Sequence, residues 1–327
     1  MNKKIIINGF LYRLRSVELI DAQDIINIRN EDQYRNKYIN PISNDLKKQE
    51  EWVKNYLNRE NDYYFVIENK ITGEKEGLIS FYDINNNIAE WGRWVIKKSS
   101  LSSIESVYLL FDYALNKLKL DKLYCRSIKD NVNVIMFHDN IGEIRYKEYE
   151  NFFHINNTYY NAIEHQIDLN TFNNIKNNLI DKSLQLLLRE IKKNLKLFKF
   201  HHIGVACKDI DEELTSFSLL GYKKEGNAFI DENQGIKGQF LISSKAPRLE
   251  LLENLNNSNT LNYWNKQGIK MYHFGYTTDD IVKAKELFLK IGAKLISDIK
   301  YSIYFQNNIC FLVLKNKFII ELIQNKG

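Results

Sequence analysis

Phe-His-His-Ile-Gly-Val-Ala-Cys-Lys-Asp-Ile begins at Phe200, and Met-Tyr-His-Phe-Gly-Tyr-Thr-Thr-Asp-Asp-Ile begins at Met271. Setting His202 over His273 gives an offset of 71 residues, which also places Gly204 over Gly275, Asp209 over Asp280 and Ile210 over Ile281. Further along, without a gap, it places Gly221 over Gly292, Phe240 over Phe311 and Glu250 over Glu321. Seven identities at one fixed offset over about 50 positions mark a duplicated module.

Each copy spells the same unit. A short strand (202–207, 273–277) leads to a helix opened by Asp209 or Asp280 and closed by Gly221 or Gly292. Three strands follow, the last at 249–252 in one copy and 318–322 in the other, so the unit reads βαβββ. Ile319, Glu321 and Ile323 alternate with Ile320 and Leu322, as in a half-buried strand. A carboxylate embedded in Phe-Ile-Ile-Glu-Leu-Ile is costly to bury unless a charge compensates it. A pseudo-twofold axis would bring the two histidines and two glutamates together as an N2O2 set, suited to Zn, Ni, Co, Mn or Fe as the divalent ion. A lone histidine opening a strand is usually a core residue, but four residues in register, two of each kind, favour ligation. His201 has no counterpart, since Tyr272 stands in its place.

From about 198 to 323 the chain resembles the vicinal-oxygen-chelate superfamily. The stretches H-H-I-G-V-A, R-L-E-L-L-E-N-L and F-I-I-E-L-I are most similar to methylmalonyl-CoA epimerases and glyoxalase-type enzymes. The resemblance implies His202, Glu250, His273 and Glu321 as metal ligands, with Glu321 also counted as catalytic. Its non-ligand proton acceptor is sought around Q-G-I-K-G-Q-F, at Glu232, Gln234 or Gln239.

The N-terminal half is read by its order of elements. A strand at 10–15, a helix containing I-I-N-I-R-N and a second amphipathic helix ending near Asn58 come first. Strands at 63–68, 77–83 and 88–96, a helix over 104–118, a strand at 122–127, a helix opened by Asn131 and a last pair of strands complete βααβββαβαββ. With I-R-N, E-G-L-I-S-F-Y-D-I, E-W-G-R-W-V-I and Y-A-L-N-K-L-K-L-D-K-L, residues 8–169 resemble GNAT acyltransferases, especially amino-sugar N-acetyltransferases. The resemblance implies acetyl-CoA or another acyl-CoA as co-substrate. Its pyrophosphate turn, Gly-rich in the family, reads K-K-S-S-L-S-S at 97–103, so Lys98, Ser100, Ser102 and Ser103 are the expected contacts, with Asn131 on the coenzyme arm. His138 stands where the family often has a Tyr general acid, or packs beside Phe137. Glu90 binds or deprotonates the acceptor amine, or pairs with Arg93. Arg29 and Asn30 help to hold the acceptor.

Between the halves, Phe172, Ile175, Leu179, Leu187, Ile191 and Leu195 recur at near-helical spacing and predict a docked amphipathic helix. The expected organisation is α+β: a GNAT domain over 1–170, a connecting helix over 171–197, and the paired βαβββ metal domain over 198–327. A length of 327 residues suits two domains. A hydrophobic share of 44%, a charged share of 27% and no apolar run near the roughly 18 residues of a membrane span exclude a helical membrane protein. No signal peptide is legible, so the cytoplasm is expected. Cys125, Cys207 and Cys310, without a C-x-x-C pair, read as buried thiols. The net charge of +5 carries no basic block, which excludes nucleic acid as a partner. The partners expected are small molecules, an acyl-CoA and an amino sugar, with room for a homodimer. The expected function is therefore bifunctional: a CoA-dependent N-acyltransferase on a nucleotide-linked amino sugar, fused to a metal-dependent epimerase or glyoxalase-like domain. The alternative is a single-activity metal enzyme whose N-terminal half is a binding module.

Overall fold

The computed structural model describes residues 4–32, 36–194 and 198–325. It divides into two compact units, Met1–Arg189 and Glu190–Gly327. Among the described residues no helix is long and apolar enough to cross a membrane.

The first unit contains β1 (Ile6–Asn8), β2 (Tyr12–Ser16), α1 (Ala22–Asn30), α2 (Leu46–Leu57), β3 (Tyr63–Asn69), β4 (Lys75–Asn85) and β5 (Ile88–Ile96). It continues with α3 (Ser103–Phe111), β6 (Lys122–Ile128), α4 (Val132–Ile141), β7 (Ile144–Ile155) and β8 (Thr158–Asp168), and α5 (Leu169–Asn194) begins in it and ends past Arg189. Its eight strands form one sheet in the order β1-β2-β3-β4-β5-β6-β8-β7. Ile25 and Ile28 of α1 and Val53 and Tyr56 of α2 bury the apolar stripes of these helices against Tyr64, Val66 and Leu78 of the sheet. The helix expected over 104–118 is α only to Phe111. Residues Asp112–Lys117 widen into a π turn that sets Tyr113 against Phe65 and Phe81, a packing demand that periodicity does not record. Glu105, fully buried in the first turn of α3, accepts the backbone N–H groups of Phe10, Leu11 and Tyr12. Burial pushes its carboxyl up to about 7 against these bonds.

The connecting helix starts at Leu169 and is described to Asn194; Leu195 lies outside the described residues. It docks on the first unit. Phe172 and Leu179 are fully buried, Phe172 packs on Tyr108 and Phe111, and Lys176 pairs with Asp112 at 2.6 Å.

The second unit contains β9 (Phe198–Ala206), α6 (Ile210–Leu219), β10 (Lys223–Asp231), β11 (Ile236–Ile242) and β12 (Leu249–Asn254). After α7 (Asn262–Gln267) come β13 (Met271–Thr278), α8 (Ile281–Lys290), β14 (Lys294–Ser302), β15 (Asn307–Val313) and β16 (Ile319–Gln324). The sheet order is β10-β11-β12-β9-β13-β16-β15-β14, so each half repeats the other outward from the antiparallel β9–β13 pair. Asp209 and Asp280 cap α6 and α8 by accepting backbone N–H groups of the first turn. Gly221 and Gly292 follow the last helical residues with φ +83 and +102, in the left-handed region that glycine reaches without strain.

Candidate active sites

The first candidate centre is assembled by the central strand pair of the second unit. His202 lies opposite Gly275, and His273 opposite Gly204. Each imidazole rests on the glycine of the other copy, and a Cβ on either glycine would overlap the ring. The His-x-Gly spelling of both copies thus makes the room. Glu250 on β12 and Glu321 on β16 flank the pair, each on a strand parallel to the first strand of its own copy.

Nε2 of His202 is 2.9 Å from Nε2 of His273, 3.0 Å from Oε2 of Glu250 and 3.3 Å from Oε2 of Glu321. Nε2 of His273 lies 3.5 and 3.7 Å from the same two oxygens. These are the edge lengths of a coordination shell with metal–ligand bonds of about 2.0–2.2 Å. All four side chains are buried. Burial pushes the Glu321 carboxyl well above its usual range, and the neighbouring Glu250 adds to the effect. Burial acts on Glu250 too, but the bonds from His202 and His273 outweigh it and hold that carboxyl low. Oε2 of Glu321 and Nδ1 of His273 are buried without a hydrogen-bond partner. One carboxylate is compensated and the other is not; a divalent cation among the four would supply the missing charge. The residues present therefore fit a borderline divalent ion with positions left for water or substrate.

The surroundings follow the repeat and then break it. Phe240 and Phe311, equivalent in the two copies, stand edge-on to His202 and His273 at 5.3 and 5.4 Å. His201, by contrast, holds only His202, through an Nδ1–Nδ1 contact of 2.8 Å, and its Nε2 accepts from Arg248 at 2.7 Å. The Arg248 guanidinium lies 4.0 Å over the Phe240 ring. None of the residues considered for proton transfer bonds to the quartet. Gln239 donates to carbonyl oxygens of Glu225, Gly226 and Phe240, Gln234 bonds Asp231, and Glu232 is exposed. Gln239 is one register step away from Phe240, so it takes the opposite face of β11.

The second centre arises where pairing stops. β5 and β6 are parallel partners only over Ile88–Glu90 and Lys122–Tyr124, although both strands run on. A cavity of about 350 Å³ lies beyond that point, with Glu90, Trp91, Arg126, Asn131 and His138 among its walls. A neighbouring cavity of about 460 Å³ shares Trp94 and Asn131 and adds Ser103. Oε1 of Glu90 accepts from the Tyr82 hydroxyl at 3.3 Å and Oε2 from Arg126 at 3.2 Å. Burial raises its carboxyl, the Arg126 charge offsetting only part. Arg93 is paired elsewhere, with Asp62 at 2.7 Å, so the expected structural pairing of Glu90 with Arg93 is not formed.

Residues 12–142 match the profile of the acetyltransferase (GNAT) domain, and residues 201–311 match that of the glyoxalase/bleomycin resistance protein/dioxygenase superfamily. The chain joins a GNAT domain to a glyoxalase-superfamily domain. No curated protein matches it significantly. Solved structures similar to it include apo FdhC, a nucleotide-linked sugar GNAT, at 26% identity over 53% of this chain and 94% of that one, with a TM-score of 0.46. Others are a mutant spermidine/spermine N-acetyltransferase SpeG from Vibrio cholerae (19%, 51% and 98%, 0.44) and a GCN5-related N-acetyltransferase from Brucella melitensis (13%, 54% and 84%, 0.49).

In the GNAT domain the expected coenzyme contacts divide. Asn131 and Ser103 reach the cavity walls. Ser102 is fully buried and its hydroxyl lies 2.7 Å from that of Ser100, which also accepts the Ser102 N–H at 3.1 Å. These two serines brace the turn, and neither they nor Lys98 is among the lining residues. The Lys98 N–H donates to Glu31 at 2.7 Å. Arg29 lines the cavity, whereas the Asn30 amide is bonded to Ile42 and Asn44. His138 is on the wall yet almost wholly buried, edge-on to both Trp91 and Phe137. The residue the sequence reading missed is Glu143, whose Oε1 is 2.9 Å from Nδ1 of His138; a carboxylate five positions after the histidine, just past the helix-ending Gly142, was the available signal.

Proposed function

We propose that the chain is bifunctional. The GNAT domain transfers an acyl group from coenzyme A to the amine of a nucleotide-linked amino sugar. The glyoxalase-superfamily domain is a metal-dependent enzyme of epimerase or glyoxalase type, acting on a carbonyl compound or an acyl thioester. The observation that carries the first activity is the single cavity wall bearing both Glu90 and His138. Amine attack on a thioester needs a group to take the proton from nitrogen and one to give a proton to the departing sulfur, and a carboxylate with a raised pKa and an imidazole lining the same cavity supply both. Asn131 and Ser103 support placing the coenzyme in the neighbouring cavity.

For the second activity, His202, Glu250, His273 and Glu321 would hold the metal, which when bound polarises substrate oxygens and stabilises an enolate. The chain's own part is to fix those four donors, exclude bulk water with Phe240 and Phe311, and hold His202 through His201 and Arg248. The brace between Ser100 and Ser102 favours the second reading, a binding module in place of an acyltransferase, because it removes two hydroxyls from coenzyme contact.

The test is thiol release from acetyl-CoA with UDP-glucosamine as acceptor and calorimetric binding of acetyl-CoA. Wild type should bind and turn over, Glu90→Gln should slow release about 100-fold, and Glu321→Ala should leave it unchanged. Neither binding nor release would favour the binding-module reading.

A further inference from the structure

The end of α4 places a carboxylate behind the imidazole that faces the cleft. Gly142, at φ +93, reverses the chain after Ile141, and the Glu143 N–H bonds the carbonyl oxygen of His138 at 3.1 Å. That closure of the helix carries the Glu143 side chain back beside the His138 ring, Nδ1 to Oε1 at 2.9 Å, with both residues about 5% exposed or less. An ionised carboxylate only accepts, so this bond puts a proton on Nδ1 and leaves Nε2 for the cleft side, 3.4 Å from the Ser127 hydroxyl on the same cavity wall. The ring packs against Trp91, edge-on at 5.2 Å, and against His165, stacked at 4.9 Å. The second Glu143 oxygen takes the Cys125 thiol at 3.7 Å.

We propose that Glu143 is the positioning residue of the acyltransferase centre: it fixes His138 in the tautomer and orientation that present Nε2 to the leaving sulfur. This rests on the acyltransferase reading of the cleft. In the step, the amine nitrogen bonds the thioester carbon and the C–S bond breaks with its electron pair on sulfur. Before the step the ring takes a second proton, from water, on Nε2; that proton goes to the departing sulfur, and the proton lost by the acylated nitrogen goes to Glu90. Exchange with water then resets both groups. Throughout, the Nδ1 proton stays on the ring, hydrogen-bonded to Glu143, as in any imidazole whose other nitrogen is held by an acceptor.

Two measurements on the full chain test this. In protein carrying ¹⁵N in its histidine rings, with His138→Gln to assign the signals, the His138 ring should show its proton on Nδ1. Glu143→Gln, which keeps an acceptor, should preserve that pattern, and Glu143→Leu should lose it. A ring protonated on Nε2 alone in wild type would overturn the proposal. So would a second metal equivalent per chain lost on His138→Gln, which would make Cys125, His138 and Glu143 a metal site. The second measurement compares leaving groups, with UDP-glucosamine as acceptor. Glu143→Leu should lower kcat about 100-fold with acetyl-CoA at unchanged KM, but only about threefold with the acetyl thioester of an acidic aryl thiol, which departs without a proton. Glu143→Gln should restore much of the acetyl-CoA rate. An equal fall with both donors would assign Glu143 a packing role only. Absence of transfer by wild type would remove the acyltransferase reading, while the ring signals alone would still decide whether Glu143 holds His138.

Discussion

At the quartet of His202, Glu250, His273 and Glu321 four side chains converge on one point and are in contact mainly with one another. In the cleft of the GNAT domain, Glu90 and His138 face a shared cavity and each is tied back to a different neighbour, Glu90 to Arg126 and His138 to Glu143. The first centre is closed and short of positive charge, so it demands a cation. In the second each group already has a hydrogen-bonding partner, and it demands only a substrate that fits between the walls. A carboxylate is a different statement in each: in the quartet a fully buried one with an unpartnered oxygen, in the cleft a half-buried one in an ion pair.

The sharpest break in this contrast comes from removing one donor. Wild-type protein should carry about one divalent ion per chain, and Glu321→Ala should lower its affinity by about 100-fold or more, read by elemental analysis after dialysis. Equal metal in both would reduce the quartet to a packed polar core. Gly204→Ala should behave similarly for a different reason, since the new Cβ displaces the His273 ring; metal is lost and stability falls by about 1–3 kcal/mol, seen in denaturant melts.

The third prediction concerns a carboxylate outside both centres. The raised Glu105 carboxyl keeps its proton in the folded protein where the unfolded chain has lost it, so stability should fall as pH rises from about 4.5 to about 7, then level off. The full span is about 3 kcal/mol, and Glu105→Gln should remove the slope in thermal melts across that range. A slope retained in the variant would assign it to other groups. The smallest effects separate the two kinds of serine in the turn. Ser103→Asp should weaken acetyl-CoA binding about tenfold by charge repulsion of the pyrophosphate, whereas Ser102→Ala should change it less than about twofold and cost about 1 kcal/mol of stability. Reversed effects would move the coenzyme to the other side of the turn.

What the sequence disclosed differs between the two centres for a physical reason. In the glyoxalase-superfamily domain the offset between copies carries geometry, because equivalent positions of a duplicated unit meet across the β9–β13 pair; His202, Glu250, His273 and Glu321 are therefore legible before any coordinates. Side chains near the quartet that lack an equivalent were not placed, as with Arg248, whose 71-residue counterpart is Ile319. In the GNAT domain the order of elements was legible from periodicity and turn residues, apart from the edge strand β1 and the π turn after Phe111. The cleft itself depends on where two parallel strands stop pairing, and nothing in E-W-G-R-W-V-I announces that hydrogen bonding to β6 ends at Glu90. The serines of the turn looked alike in sequence and were divided by packing, Ser102 inward and Ser103 to the cavity.

The crossed seating of histidine on glycine has a consequence for how this half of the chain can change over generations. A side chain gained at Gly204 injures His273, and one gained at Gly275 injures His202, so each substitution is felt in the other copy. The two triplets, 71 residues apart, are in effect one inherited unit. After duplication the loops and outer strands were free to diverge separately, while these positions were bound to a shared fate.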